Sequence, residues 1–425
     1  MLDIRLIREQ PDAIKARLAL RDPGLSATID AVLACDQSRR EAETRTQSLQ
    51  AERKTLSKEI GKVRAQGGDS SEAEAKARVM GEQIDAAGAD AAAQEERQRT
   101  LLLGLPNVPH PGCPEGAEAS ANPLLKTWGV LPEFDFAPVD HLVLAEKLGL
   151  VDFERGAKIA GSGFVCFTGK GARLQRALLN FMLDVHTTEH GYTEVAPPYL
   201  IRRECMFGTG QLPKFEEDMY ELEQGAMFLA PTAEVPVTNL HREELLSAAE
   251  LPVAYTAYSP CFRREAGSAG RESRGLIRVH QFDKIEMVHI TRPETAEAEL
   301  MEMLGHAESI LQRLGLHYRV IELCAGDLGF SAMRTFDIEV WAAGHGGFLE
   351  VSSVSHFGEY QARRMQLRFK DEDGKNRFCH TLNGSGVALP RLFVALLEAG
   401  QQADGTVQLP EPLHAAMGGT CLKPV

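Results

Sequence analysis

Residues 261–282 read CFRREAGSAGRESRGLIRVHQF and carry the strongest structural and chemical signal in the chain. This stretch is broken by glycines and concentrates five arginines: Arg263, Arg264, Arg271, Arg274 and Arg278. Arginine presents a planar, always charged fork that matches phosphate oxygens. The segment therefore predicts a loop that wraps a polyphosphate or a nucleic-acid end. A charged surface patch on a β-hairpin is the alternative interpretation.

The rest of the chain is acidic, which makes this basic segment informative. The 425 residues carry a formal net charge of −14 at pH 7. That balance argues against indiscriminate binding to nucleic acid or anionic membranes, although it allows a local basic surface. The eight cysteines are scattered without a C-x-x-C pair, and the sequence contains neither an export signal nor a membrane-length apolar run. We therefore expect a cytoplasmic protein with no membrane partner.

Residues 1–104 predict a helical domain with a long hairpin. Residues 1–25 predict a short helix that opens near Asp12 and stops at Asp22-Pro23-Gly24. From about residue 26 to residue 103, proline and aromatic residues vanish while helix-favouring residues dominate. Apolar residues there recur at heptad spacing, with Gln94 and Gln98 as polar interruptions, and AQGGDSS at 65–71 breaks the helix. Two such helices predict an antiparallel coiled coil, the first arm of which carries more bases than acids.

Beyond a proline- and glycine-rich linker at residues 105–123, residues 124–425 predict an α+β domain. Helical stretches at 173–189, 294–314 and 390–401 are interleaved with β-rich stretches at 285–290, 317–324, 335–341 and 348–353. This irregular order favours an antiparallel sheet with helices packed on it. The sequence has no Walker A loop and no strand followed by G-x-G-x-x-G, so ATP would not bind by the common parallel-sheet routes.

Two further segments strengthen the phosphate-binding interpretation. The segment NGSGVALPRLFVALLEAGQ (383–401) places a glycine-rich turn before a helix with Arg391 in its first turn, an arrangement suited to an anion. The segment GYTEVAPPYL (191–200) follows a long helix. Together with residues 261–287, these segments resemble the three signature motifs of class II aminoacyl-tRNA synthetases. The segments GTGQLPKF (208–215), PTAEVPVTN (231–239) and HTLNGSG (380–386) resemble bacterial seryl-tRNA synthetases in particular.

The resemblance covers essentially the whole chain and implies an activity. The N-terminal hairpin would grip the long variable arm of tRNA(Ser), and the C-terminal domain would form the class II antiparallel sheet flanked by helices. The implied reaction uses ATP and Mg²⁺ to attach L-serine to tRNA(Ser) through a seryl-adenylate, with release of pyrophosphate. Kinship also implies tRNA(Sec) as a second acceptor, and a homodimer built on the first motif.

The resemblance also implies roles for single residues. Arg263 would contact the α-phosphate and the serine carboxylate, Glu265 would lie near adenine, and Phe282 would stack on it. Arg391 would bind the γ-phosphate, and Glu350 with Ser353 would bind the metal. The remaining ATP-binding positions that it implies are Arg264, Val279, Val351 and Ser352. The implied serine pocket contains Thr232, Ala233, Glu234, Arg263, Glu286, Asn383 and Ser385.

One stretch departs from the family's pattern. Family members usually have Cys at position 354 and Asn at position 356, whereas this chain has Val354 and His356. The difference leaves open a catalytically altered paralogue, including an adaptor, or a specialised resistance isoform. An enzyme that loads serine onto a carrier protein is a further alternative. Such an enzyme is expected to lack the helical hairpin. Because this chain has the hairpin, tRNA is the better acceptor.

A different enzyme class is suggested by HTTEH at residues 186–190, which fits the zinc-protease pattern H-x-x-E-H. Gly191 would end that helix at once, and a five-residue match arises readily by chance. Two ordinary histidines near the end of a helix are the interpretation that we favour.

Overall fold

The structure is a computed structural model that describes residues 1–266 and 274–425. Arg271, one of the arginines predicted for the phosphate-binding loop, lies outside the described residues. The chain divides into two compact units, Met1–Pro106 and Asn107–Val425.

The described α-helices are numbered in chain order: α1 (Ile4–Glu9), α2 (Pro11–Ala19), α3 (Leu25–Ala65), α4 (Ser71–Leu103), α5 (His141–Lys147), α6 (Phe153–Ala160), α7 (Gly169–Thr188), α8 (Arg203–Thr209), α9 (Glu234–Thr238), α10 (Ala296–Arg313), α11 (Tyr360–Met365), α12 (Leu389–Gly400) and α13 (His414–Met417). Across the ranges 1–266 and 274–425, no helix combines the length and the apolar character needed to cross a bilayer.

The described strands are numbered likewise: β1 (Leu124–Trp128), β2 (Val151–Asp152), β3 (Cys166–Phe167), β4 (Thr193–Glu194), β5 (Leu200–Arg202), β6 (Glu221–Leu222), β7 (Met227–Leu229), β8 (Leu245–Ser247), β9 (Val253–Phe262), β10 (Gln281–Thr291), β11 (Tyr318–Glu322), β12 (Arg334–Ala342), β13 (Gly347–His356), β14 (Arg368–Lys370), β15 (Asn376–Phe378), β16 (His380–Ala388), β17 (Val407–Gln408) and β18 (Cys421–Leu422).

The N-terminal unit contains the predicted helical hairpin. The helices α3 and α4 run 41 and 33 residues and flank the glycine-containing break that the sequence indicated. Ile29 and Val32 of α3 and Met80 and Ile84 of α4 are buried, whereas the apolar stripe of α3 at positions 49, 56, 60 and 63 is half-buried. The short helix predicted to open near Asp12 corresponds to α2, and a further helix, α1, precedes it. Two helices form in residues 1–25, because Pro11 cannot supply an N–H to the preceding turn and instead starts α2.

A buried polar group joins the two arms of the hairpin. Gln98, one of the predicted polar interruptions, is buried, and its Nε2 donates to Asp36 Oδ1 at 3.3 Å. Arg8 and Arg39 also donate to this buried carboxylate, each at 3.1 Å. Burial raises the pKa of Asp36, but the hydrogen bonds from Arg39, Arg8 and Gln98 outweigh it and leave that pKa below its ordinary value. Only one register of the arms satisfies all of these bonds, so the group specifies their alignment.

An eight-stranded sheet forms the centre of the second unit. Its strand order is β1-β11-β12-β13-β16-β10-β9-β4, and every pairing is antiparallel except that of β4 with β9. The β-rich stretches predicted at 285–290, 317–324, 335–341 and 348–353 coincide with β10 to β13. The helices predicted at 173–189, 294–314 and 390–401 coincide with α7, α10 and α12. The α+β architecture is thereby confirmed.

Apolar faces of α7, α10 and α12 close the core against this sheet. Leu178 and Met182 of α7, Met303 of α10 and Phe393 of α12 share one cluster of buried residues with the sheet. Strand β10 lies between β9 and β16, so that Glu286 is opposite Ala257 on one side and Ser385 on the other. Because side chains alternate along a strand, residues 282, 284 and 286 share one face of the sheet.

The second arm of the hairpin should become more rigid when Gly88→Ala removes a helix-interior glycine. A methyl group built on Gly88 meets no atom within 4 Å, and alanine is favoured over glycine in a helix by about 1 kcal/mol. Hydrogen–deuterium exchange of peptides from residues 71–103 should slow by roughly fivefold. Ala89→Gly, at the exposed neighbouring position, should change exchange in the opposite direction. Equal exchange in both variants would contradict a helical arm.

Candidate active site

A cavity of about 760 Å³ gathers most of the predicted site residues. It is lined by side chains from β10, β13, β16, the start of α12 and the chain that follows β9. The predicted residues that line it are Thr232, Glu234, Arg263, Glu265, Val279, Phe282, Glu286, Glu350, Val351, Ser353, Asn383, Ser385 and Arg391.

Three predicted residues are not among the lining of this cavity. Ala233 is completely buried, and the buried Ser352 donates its hydroxyl to the Ser385 carbonyl at 2.6 Å. The Arg264 backbone N–H donates to the Asp218 carbonyl at 2.8 Å. These residues therefore support the walls of the cavity rather than form its surface.

The two arginines predicted to bind phosphates line the same cavity although 128 positions separate them in the sequence. Arg263 Nε donates to the Pro231 carbonyl at 3.2 Å, and the guanidinium carbon lies 5.2 Å from the centroid of the Phe282 ring. Arg391 Nε donates to the Ile277 carbonyl at 3.1 Å. No described carboxylate lies within ion-pair distance of Arg263. The cavity thus holds a guanidinium whose charge is available to an anion.

Arg391 is held against strand β13 as well. Its Nη1 donates to the Glu350 carbonyl at 2.8 Å and lies 3.6 Å from the Glu350 carboxylate. The Glu265 carboxylate, which also lines the cavity, pairs with Arg278 Nη1. Glu265 has a positive φ of 51°, and the next residue, Ala266, donates its N–H to Asp218 Oδ1 at 2.9 Å. Asp218 thus anchors the chain as it leaves β9.

The acidic end of the cavity contains two buried glutamates. Glu234 and Glu286 are each less than 10% exposed, and Gln361 Nε2 donates to Glu234 Oε1 at 2.6 Å. Burial, and then the charge of Glu286, raise the pKa of Glu234 to about 7. The pocket can therefore gain or lose one negative charge near neutral pH.

Lys284 is a pocket residue to which the resemblance assigned no role, although it lies within residues 261–287. Its ammonium is buried, pairs with the Glu286 carboxylate and donates to Thr232 Oγ1 at 3.0 Å. Because an ammonium only donates, Thr232 Oγ1 must accept from it. That hydroxyl also accepts the Glu234 backbone N–H at 3.1 Å, so its own proton goes to Glu286 Oε2 at 2.7 Å. Side chains alternate between the two faces of a strand, so Lys284 lies on the same face of β10 as Phe282 and Glu286. This alternation would have identified Lys284 from the sequence.

Asp337, on the neighbouring strand β12, lies behind the residues predicted to bind metal. It is buried and hydrogen-bonds to Ser353, and burial together with the charge of Glu350 raises its pKa well above the ordinary range. Its Oδ1 has no hydrogen-bond partner among the residues that the structure describes. The Glu350, Ser353 and Asp337 side chains thus form a patch of oxygen atoms with unmet capacity for a cation.

The two departures from the family's pattern are not among the lining residues of the cavity. Val354 is completely buried in the core, where it packs against Gly384. His356 Nδ1 lies 2.9 Å from Glu297 of α10, and its Nε2 lies 3.0 Å from His380 Nδ1. The hydrogen bond from His356 is the main cause of the lowered pKa of Glu297. Both substitutions therefore change the support behind the cavity and leave its charged surface intact.

The side chains of the H-x-x-E-H pattern are each engaged in other contacts. His186 Nε2 lies 3.2 Å from the Gly386 carbonyl, while Glu189 pairs with Arg313 at 2.8 Å. The Nδ1 atoms of His186 and His190 lie 3.0 Å apart and share a hydrogen bond. Within residues 1–266 and 274–425, no group of three or more His, Cys, Asp or Glu side chains is arranged to hold a metal ion.

Sequence comparison relates both units of the chain to one family of enzymes. The family described as "Seryl-tRNA synthetase N-terminal domain" matches residues 1–109, and "tRNA synthetase class II core domain (G, H, P, S and T)" matches residues 215–400. A serine–tRNA ligase of Akkermansia muciniphila is 58% identical over 424 residues, which cover 100% of this chain and 99% of the relative. A serine–tRNA ligase of Pelotomaculum thermopropionicum is 48% identical over 99% of both chains.

Structure comparison gives the same relationship. The crystal structure of seryl-tRNA synthetase from Pyrococcus horikoshii complexed with ATP superimposes with a TM-score of 0.94, at 37% identity over the whole of both chains.

Removing the Lys284 ammonium should destabilise the second unit. Lys284→Met leaves the Glu286 carboxylate buried without its cation, and breaking a buried pair costs about 3 kcal/mol or more. Both tryptophans, Trp128 and Trp341, belong to this unit, so their fluorescence during urea unfolding measures the change. Lys170→Met, at an exposed position, should leave the urea midpoint where it is. Equal midpoints for both variants would contradict the pairing.

Proposed function

The chain belongs to the seryl-tRNA synthetase family, and we propose that its cavity joins ATP to L-serine and transfers the activated serine to tRNA(Ser). The observation that carries this proposal is the convergence of Arg263, Arg391 and Glu350 on the same cavity as the acidic pocket of Glu234 and Glu286. One end suits a triphosphate and the other a small ammonium-bearing molecule, which are the two substrates of an adenylation reaction.

The first step needs no protein nucleophile. An oxygen of the serine carboxylate forms a bond to the α-phosphorus of ATP, and the bond from that phosphorus to the bridging oxygen of pyrophosphate breaks. Charge moves onto the phosphate oxygens, so the contribution of the protein is orientation and electrostatic stabilisation. Arg263 binds the α-phosphate and the serine carboxylate together, and Arg391 binds the γ-phosphate. Phe282 stacks on a face of the adenine ring, and Glu265 accepts from the exocyclic amine at the edge of that ring.

The second step passes serine to the acceptor. A hydroxyl of the terminal adenosine of tRNA attacks the carbonyl carbon of seryl-adenylate, and AMP leaves. In the pocket, the serine ammonium lies against Glu234 and Glu286, and its hydroxyl is held with help from Asn383 and Ser385. Alanine lacks that hydroxyl and leaves buried polar groups unpaired, at a cost of about 1–3 kcal/mol for each group.

Magnesium fits the oxygen-rich patch beside Arg391. Glu350 and Ser353 would hold the ion together with phosphate oxygens, because Mg²⁺ is usually bound through one or two carboxylates plus the phosphates of its substrate. The buried Oδ1 of Asp337 supports this assignment, since it is an acceptor without a partner among the described residues. Bound there, the ion would neutralise charge on the triphosphate.

The remaining parts of the chain serve tRNA binding and assembly. Residues 1–104 form the tRNA-binding arm, residues 105–123 a linker, and residues 124–425 the catalytic domain. The basic residues of α3 suit the backbone of the long variable arm of tRNA(Ser). We extend the proposal to tRNA(Sec) as a second acceptor, to a homodimer built on α7 and the segment after it, and to a cytoplasmic site of action.

Serine-dependent exchange of pyrophosphate into ATP tests this function. The wild-type protein should show exchange with serine and with no other of the twenty amino acids at comparable efficiency. Arg263→Ala should lower kcat/KM by about 10²–10³-fold, since it removes a positioned charge from the transition state. Arg313→Ala removes an arginine that pairs with Glu189 outside the cavity and should leave exchange unchanged. Near-normal exchange in Arg263→Ala would overturn the proposed phosphate role.

Serine binding should weaken on mild acidification. The pKa of Glu234 lies near 7, so this carboxylate gains a proton as the pH falls below 7 while the serine ammonium keeps its charge. The KM for serine should therefore rise between pH 8 and pH 6. Glu234→Gln should bind serine more weakly and lose this pH dependence. A wild-type KM that stays constant across the range would contradict the assignment of Glu234 to the ammonium.

A further inference from the structure

We propose that His141, held in place by Glu398, is a positioning residue for the ATP-binding half of the cavity. The inference rests on the proposed function only in that the ligand is ATP. His141 begins α5 and Glu398 lies in α12, so 257 positions separate them. Neither residue lines the cavity, and no sequence motif joined them.

Glu398 is a completely buried carboxylate that accepts four hydrogen bonds. Its Oε1 accepts from the backbone N–H of His141 at 2.8 Å and from His141 Nδ1 at 3.2 Å. Its Oε2 accepts from the backbone N–H groups of Gly344 and His345, each at 2.9 Å. A buried carboxylate with this many donors is a rigid anchor, because any displacement leaves charge unsolvated.

The partners of His141 fix where its ring proton lies. His141 Nε2 lies 3.2 Å from the backbone nitrogen of Leu276, which can only donate. Nε2 must therefore accept, and the ring proton of the neutral imidazole lies on Nδ1, facing Glu398. Glu398 thus stabilises the tautomer that carries its proton on Nδ1, and in that tautomer Nε2 can accept the N–H of Leu276.

The chain beside Leu276 is shaped for this contact. Gly275 has a φ of +63°, and a methyl group built on it would lie 2.4 Å from His141 Nε2. Glycine therefore meets two requirements at once, a left-handed backbone and the close approach of an imidazole.

The bond to Leu276 reaches the triphosphate end of the cavity within one residue. The carbonyl of the next residue, Ile277, accepts the hydrogen bond from Arg391 Nε at 3.1 Å. Leu276, Ile277, Arg278 and Val279 all line the cavity. His141 thus fixes the backbone that aims Arg391, and it touches none of the residues of the acidic pocket through these bonds. Its loss should therefore impair ATP binding and spare serine binding.

Direct measurement of ATP binding to the full chain, by calorimetry with ATP and Mg²⁺ and no serine, tests the inference. His141→Leu should raise the Kd for ATP by about tenfold, while the KM for serine in pyrophosphate exchange stays within about twofold. His141→Gln places an amide oxygen near the position of Nε2 and should recover most of the affinity. The backbone N–H donors to Glu398 remain in both variants, so the fold should persist.

His289 supplies a matched control, because this buried histidine also faces a glutamate, with Nδ1 lying 3.0 Å from Glu299. It does not line the cavity. His289→Leu should leave the Kd for ATP within about twofold. Should His141→Leu fail to fold, Gly275→Ala tests the same contact from the loop side and should weaken ATP binding by a similar factor.

The outcomes separate the two proposals. An unchanged Kd for ATP in folded His141→Leu or Gly275→Ala, or an equal loss in His289→Leu, would overturn the positioning role. Weakened ATP binding in the His141 variant, in a chain that shows no exchange with serine, would uphold that role and refute the proposed ligase activity.

Discussion

The pairing of β10 with β9 on one side and β16 on the other is the constraint on which the site depends. Backbone hydrogen bonds hold these three strands in a fixed pairing. A shift of β10 by one residue would turn Glu286 away from the cavity and bury its charge in the core. The same pairing fixes the end of β9, from which Arg263 follows, and the end of β16, from which α12 and Arg391 follow. Arg263 and Arg391, which come from distant segments, line the same cavity because these three strands pair side by side.

Buried charge is balanced in different ways in different parts of the second unit. Glu286 has a lysine, Glu234 has an amide and a raised pKa, and Glu398 has four N–H donors. Each solution suits a role. In the proposed function, Glu234 would meet the serine ammonium and remains adjustable in charge, whereas Glu398 anchors backbone and is fully satisfied without a ligand. The buried carboxylate of Asp337, with an oxygen left over beside Ser353, belongs with the first kind.

Val354 and His356 depart from the pattern usual in the family, yet they lie behind the cavity and not in its lining. Val354 fills core volume against Gly384, and His356 forms a hydrogen-bonded row with Glu297 and His380. Neither removes a charge that faces the cavity. Their position on the face of β13 that meets the core explains why the expected site residues still gather although the local sequence differs.

From the sequence alone came the helical hairpin, the α+β class and the two phosphate-binding arginines, because heptad spacing, strand-length apolar runs and arginine-bearing glycine loops are local patterns. The other predicted residues of the cavity came from the resemblance of the motifs to the synthetase family. The sequence also indicated the short helix that opens near Asp12, but not α1, which precedes it and ends before Pro11. Only the tertiary structure identified Lys284 as the partner of Glu286, Asp337 behind Ser353, and His141 between Glu398 and Leu276. These contacts join residues by pairing and burial across the fold, and no spacing along the chain encodes which donor will face which acceptor once water has been excluded.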